Sequence, residues 1–205
     1  MTDALPTGAL AAAALPVTAR PSDSRNTTGP DEPVPPGYRA VGDHRVRELV
    51  GRGLDEFVIG QIIEHRPART VTETDHLLTL ALTGNPAPVH SDLEFCAATG
   101  RDRPLVCGMV TLGIVLGATV RSTSGLTTAN LALDALRLEH PVHVGDTLRA
   151  ETQILAARRS TSRPEHGVIT CRVNGYNQHH QRVITFTRAF LVPADADPVR
   201  ATTGY

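Results

Sequence analysis

"RDRPLVCGMVTLGIVLGATVRST", residues 101–123, is the most apolar stretch of the chain. Its length predicts one buried helix from about Cys107 to Val120. Gly108, Gly113 and Gly117 lower helix propensity there. The expectation is that they let another backbone approach, as when a sheet wraps the helix. Everything after Thr127 reads as strand. In "TLRAETQILAA" (147–157), Leu148, Ala150, Thr152, Ile154 and Ala156 alternate with Arg149, Glu151 and Gln153, the pattern of a half-buried antiparallel strand. "GVITCRVNGYNQ" (167–178) and "RVITFTRAFLV" (182–192) predict two more, joined near "NQHHQ". One long apolar helix followed by long antiparallel strands is an α+β arrangement, with the sheet covering the helix.

Upstream, "FVIGQIIEH" (57–65) reads as a strand and "TVTETDHLLTLALTG" (70–84) as a helix. Thr72 and Asp75 form a capping signal for it, and Gly84 ends it. Ser91 and Glu94 repeat the capping signal and predict a short helix over "DLEFCAAT" (92–99). Residues 1–40 are rich in Ala, Pro, Thr, Ser and Asp and predict a disordered tail. A linker with a short helix, about Asp43–Glu56, is expected at 41–56. The folded domain is expected over 57–193, and a flexible C-terminal tail over 194–205.

The 205 residues carry a net charge of -1, and aromatics make up 3% with no tryptophan. Neither an electrostatic footprint for nucleic acid or anionic membrane nor a base-stacking platform is present. The apolar run Ala9–Leu15 is too short for a membrane span and lacks the basic flank of a signal peptide. Cys96, Cys107 and Cys171 show neither zinc nor disulfide spacing, which fits a reducing, cytoplasmic setting. Cys107 is either a nucleophile or a buried free thiol.

The chemistry concentrates in "LTGNPAPVHSD", Leu82–Asp92. Two prolines stiffen the loop and present Asn85 and His90 in one geometry. His90 precedes a helix start, whose positive end favours neutral imidazole, the form a general base needs. The other reading is a structural hydrogen-bonding histidine. Asn85 cannot exchange protons but can hold a water or a carbonyl. Asp92 either orients the imidazole, acts as its acid partner, or is a first-turn carboxylate. Gly108 offers a helix N-terminal N–H as an oxyanion donor. His90 and Asp92 lack a third ligand, so no metal is expected. His140 and His143 read as surface residues.

These segments resemble the MaoC-like hydratase family, whose fold is the hotdog. "GNPAPVH" (84–90) matches the family loop at Gly84, Pro88, Val89 and His90, with Asn85 where the family carries aspartate. "VCGMVTLG" (106–113) keeps the family glycine as Gly108 and carries Cys107 in place of its histidine. "RTVTETDHLLTLALTGNPAPVHSD" (69–92), "VGDTLRAET", "STSRPEHGVITC" and "NGYNQ" resemble the branch that hydrates mesaconyl- and itaconyl-CoA, which also carries this asparagine. The resemblance covers about residues 57–192.

It implies a single hotdog and reversible hydration of a short, branched or dicarboxylic enoyl thioester by a hydro-lyase. Other hotdog thioester reactions, such as a thioesterase or a different addition or elimination, and a non-catalytic acyl-thioester binder are the alternatives. The implied catalytic residues are His90, Asn85 and Asp92. Gly108 would be the oxyanion donor, Cys107 and Val89 would border the substrate, and Arg163 would contact a CoA phosphate or substrate carboxylate. The substrate would be linked to CoA or to the phosphopantetheine of an acyl-carrier protein, with no separate cofactor. A homodimer is expected.

Overall fold

The computed structural model describes residues 33–205. The expectation of a disordered tail falls mostly on residues 1–32, outside the described residues. The described residues fall into two units, 33–47 and 48–205. In the first, β1 (Tyr38–Gly42) pairs with β2 (Arg45–Glu48), whose last residue opens the second unit. A helix was expected over part of this segment. Instead His44, at φ 51, turns the chain into a hairpin, and a single 3-10 turn (Leu54–Glu56) follows. Gly51 explains the break between them. Its φ is 69, and a Cβ there would stand 2.3 Å from the Leu126 backbone nitrogen.

In the second unit, β3 (Ile62–Thr70), β4 (Ala129–Leu138), β5 (Thr147–Arg159), β6 (His166–Tyr176) and β7 (Arg182–Pro193) form one antiparallel sheet. The order is β3-β5-β6-β7-β4, so β3 and β4 are its edges. The β3 strand starts later than its sequence suggests, because Gly60, at φ 87, lies in a turn closed by Gln61 N–H to the Val58 carbonyl. Along β5, Leu148, Ala150, Thr152 and Ile154 are all buried, as the alternation predicts.

Three helices precede β4 in the chain: α1 (Glu73–Thr83), α2 (Leu93–Ala98) and α3 (Gly108–Val120). The α3 helix packs against β3, β5 and β6. Val110, Ile114 and Val115 enter a core that includes Ile154, Val173, Ile184 and Phe186. The close approach of helix to sheet is made at Gly175 of β6, where a Cβ would meet methyls of Val115 and Ile184 at 2.6 Å. Among the helix glycines only Gly108 is crowded, by Leu138 Cδ1 at 2.6 Å. Gly113 and Gly117 face outward with nothing within 4 Å, contrary to the expectation for them.

The C-terminal segment, expected to be flexible, forms α4 (Asp197–Thr203). Arg200 is buried and bonds the Glu56 carboxylate at 3.0 Å and the Gly51 carbonyl at 3.0 Å. Removing either partner would leave the buried guanidinium short of acceptors, which is costly, so these bonds hold the helix down. Among the described residues no helix is long and apolar enough to cross a membrane.

Candidate active site

The site is assembled from the end of α1, the proline loop, the segment 104–108 and the start of β5's preceding loop. Helix α1 begins with a reciprocal cap: Asp75 N–H donates to Thr72 Oγ1 at 3.2 Å, and Thr72 N–H to Asp75 Oδ2 at 3.0 Å. It ends at Gly84 in the left-handed conformation, and Asn85 N–H closes onto the Leu80 carbonyl at 3.1 Å. The capping fixes where Asn85 leaves the helix.

Asn85 Oδ1 then accepts Ala87 N–H at 3.1 Å, a local side-chain turn, and Nδ2 lies 3.7 Å from Cys107 Sγ. Cys107 is buried. Asn85 therefore touches Cys107 and Ala87, the other two positions at which the chain departs from the family pattern. Pro88–His90 form one 3-10 turn. Val89 is half-buried, and its carbonyl accepts Leu105 N–H at 3.0 Å, binding the loop to the segment before α3.

His90 Nδ1 lies 2.8 Å from the Leu105 carbonyl. A carbonyl only accepts, so Nδ1 carries the proton. In the neutral ring Nε2 then holds the lone pair. Asp92 does not orient this ring. Its Oδ1 accepts Phe95 N–H at 2.9 Å and caps α2, so the N-cap is Asp92 and not Ser91, where the capping signal placed it. Arg163 lies on the turn between β5 and β6, where its N–H donates to Ser160 Oγ at 3.2 Å.

Two clefts of about 380 and 360 Å³ share His90 as a wall. The first is mainly apolar, with Leu105, Leu138, Val142, Gly108 and His140 on its walls. As the first residue of α3, Gly108 has an N–H that no helical carbonyl takes up. His140 is exposed, as read, yet lines this cleft, with Nδ1–H donating to the Arg182 carbonyl at 2.8 Å. The second cleft is more charged, with Glu73, Ser91, Arg103 and His76. Arg163 lines neither.

His76 carries no motif signal, yet it occupies the junction. It is 4% exposed, its Nε2 lies 2.7 Å from the His90 carbonyl, and its Nδ1 lies 3.3 Å from Cys107 N. Nε2–H therefore donates to His90, and Nδ1 accepts the Cys107 N–H. The two imidazoles meet edge to face, with centroids 6.0 Å apart.

A helix laid on a five-stranded antiparallel sheet, with a histidine loop at the helix start, defines a hotdog-fold protein. The chain belongs to the MaoC like domain family, which matches residues 56–176. It is 32% identical over 142 residues to a mesaconyl-CoA hydratase of Cereibacter sphaeroides, covering 69% of this chain and 41% of that protein. It is 30% identical over 142 residues to a beta-methylmalyl-CoA dehydratase of Chloroflexus aurantiacus, covering 69% of this chain and 40% of that protein. A conserved hypothetical protein of Mycobacterium tuberculosis with a double hotdog fold superposes with a TM-score of 0.65 at 26% identity, covering 72% of this chain and 46% of that one. The chain thus spans about two fifths of the length of the curated relatives it matches.

Proposed function

We propose that this hotdog unit catalyses the reversible addition of water to a short α,β-unsaturated acyl thioester. The observation that carries the reading is His90: its Nδ1–H is held by the Leu105 carbonyl, and its ring walls the cleft that also reaches Gly108. The thioester oxygen would sit on the Gly108 N–H. Water would give its proton to His90 Nε2 as its oxygen bonds Cβ. The carbon–carbon π electrons pass to the carbonyl, and the Gly108 amide supports the enolate oxygen. His90 then returns the proton to Cα, and the carbonyl re-forms. Dehydration is the same path reversed.

Asn85 takes no part in proton transfer in this scheme, since its amide is engaged by Ala87 and directed at Cys107. Asp92 is occupied as a cap. One imidazole therefore serves both half-steps, and the chemistry needs no cofactor beyond the substrate's own pantetheine arm. Similarity to the mesaconyl-CoA and beta-methylmalyl-CoA enzymes supports a branched dicarboxylic acyl group and CoA as its carrier.

The working unit would be a pair of hotdogs. The edge strand β4 is open along one side and exposes Leu131, Leu133, Leu136 and Leu138. A bare apolar edge of this kind invites pairing.

The test is mass spectrometry of crotonyl-, mesaconyl- and itaconyl-CoA after incubation with the protein. A gain of one water that disappears in His90→Ala is the expected result. Neither water gain nor free thiol, with the thioesters still bound, would replace the hydratase reading with a binding role.

A further inference from the structure

His76 is a buried polar residue on α1, in a place that helix packing alone does not explain. Leu80, one turn on, fills its buried position with an apolar side chain. An imidazole is more costly to bury unless its nitrogens are satisfied. Both are satisfied, and neither by its own helix. Nε2–H donates to the His90 carbonyl at 2.7 Å, and Nδ1 accepts the Cys107 N–H at 3.3 Å. The first partner belongs to the residue carrying the base. The second is the peptide immediately before the Gly108 amide.

We propose that His76 is a positioning residue that sets the separation between the His90 base and the Gly108 oxyanion donor. The inference rests on the hydration reading above. The two groups must act on atoms three bonds apart in one substrate, one at Cβ and the other at the thioester oxygen. They arrive on different segments, the proline loop and the start of α3. The Leu105 carbonyl fixes the direction of the His90 ring. His76 bridges the backbones of the two segments and abuts the His90 ring edge to face. Its neutral tautomer is required, because a proton on Nδ1 would face the Cys107 N–H.

The substitutions that test this each release one end. His76→Asn keeps an acceptor near Cys107 and gives up the His90 carbonyl. His76→Gln reaches toward His90 and gives up Cys107. Both keep a polar group in the slot, and circular dichroism checks that each folds. With the enoyl-CoA panel, kcat is expected to fall by about 100-fold in each, with KM within about threefold, since misplacement by an ångström is felt chiefly in the transition state.

In NMR spectra, the His90 ring signals should move in His76→Asn and the Gly108 amide signal in His76→Gln. Parent-like kcat in both variants overturns the proposal, as does loss confined to KM. A parent protein that hydrates none of the thioesters points instead to failure of the hydration reading. The NMR comparison then decides alone: signals that move as stated support the bridge, and unmoved signals overturn it.

Discussion

At Gly108 the peptide N–H is the atom the proposed hydration uses, and proline is the substitution that removes it. Proline is tolerated at the first position of a helix, and the residue before it must be extended. Cys107, at φ -57 and ψ 134, already is. The new ring would press on Leu138 Cδ1, the free end of an exposed side chain that can turn away. Gly108→Pro should therefore fold and lose about 100-fold or more in kcat, the cost of deleting an oxyanion donor. Gly108→Ala, which adds the same contact but keeps the N–H, should stay far closer to the parent in steady-state kinetics. The stiff loop was legible: two prolines around Ala87 marked the segment that carries Asn85 and His90. His76 was not. Its partners lie 14 and 31 positions away and are main-chain atoms, which no side-chain pattern records. Asp92 was ambiguous because a first-turn carboxylate and a catalytic one look alike until the acceptor's partner is seen.

Elements bounded by strong local signals were readable, and those bounded by tertiary contacts were not. Helix α1 carries its cap and its stop within the sequence. Strands β5 to β7 show a period of two because one face is packed on the core. The central helix is apolar nearly all round, so its buried face could not be chosen, and the crowded glycine of the helix–sheet contact proved to be Gly175. Helix α4 was missed because what orders it, the Arg200–Glu56 contact, spans 144 positions.

Three elements also meet at His65 of β3. It bonds Ser122 Oγ after α3 and Thr152 Oγ1 of β5, each at 2.8 Å. Burial, then the charges of Arg52 and Arg66, lower its pKa from 6.5 to about 4. The unfolded chain takes up this proton near pH 6.5 and the folded chain only near 4, so acid favours unfolding between the two. This contribution should be complete above that window and decline as the pH falls through it, by on the order of 3 kcal/mol at most. Urea unfolding across the window should show the decline in the parent and a flatter profile in His65→Gln.

For the molecule as a whole, the open β4 edge is the feature on which the proposed pairing of hotdogs rests. The Leu131→Asp/Leu136→Asp double variant places charge on that edge, a device that blocks strand pairing. Light scattering should give a dimer mass for the parent and a monomer mass for the variant. A parent that is already monomeric would rule out self-pairing through this strand.

Arg200 has a topological consequence. By joining the last helix to Glu56 and Gly51, it closes the unit of residues 48–205 into a ring in space, although the chain is linear. A short linker from residue 205 to residue 48 would complete the ring covalently. The chain could then be opened at the exposed turn between β5 and β6, giving a circular permutant. Its strand order in space would be unchanged, and His90, His76 and Gly108 would keep every contact they have now.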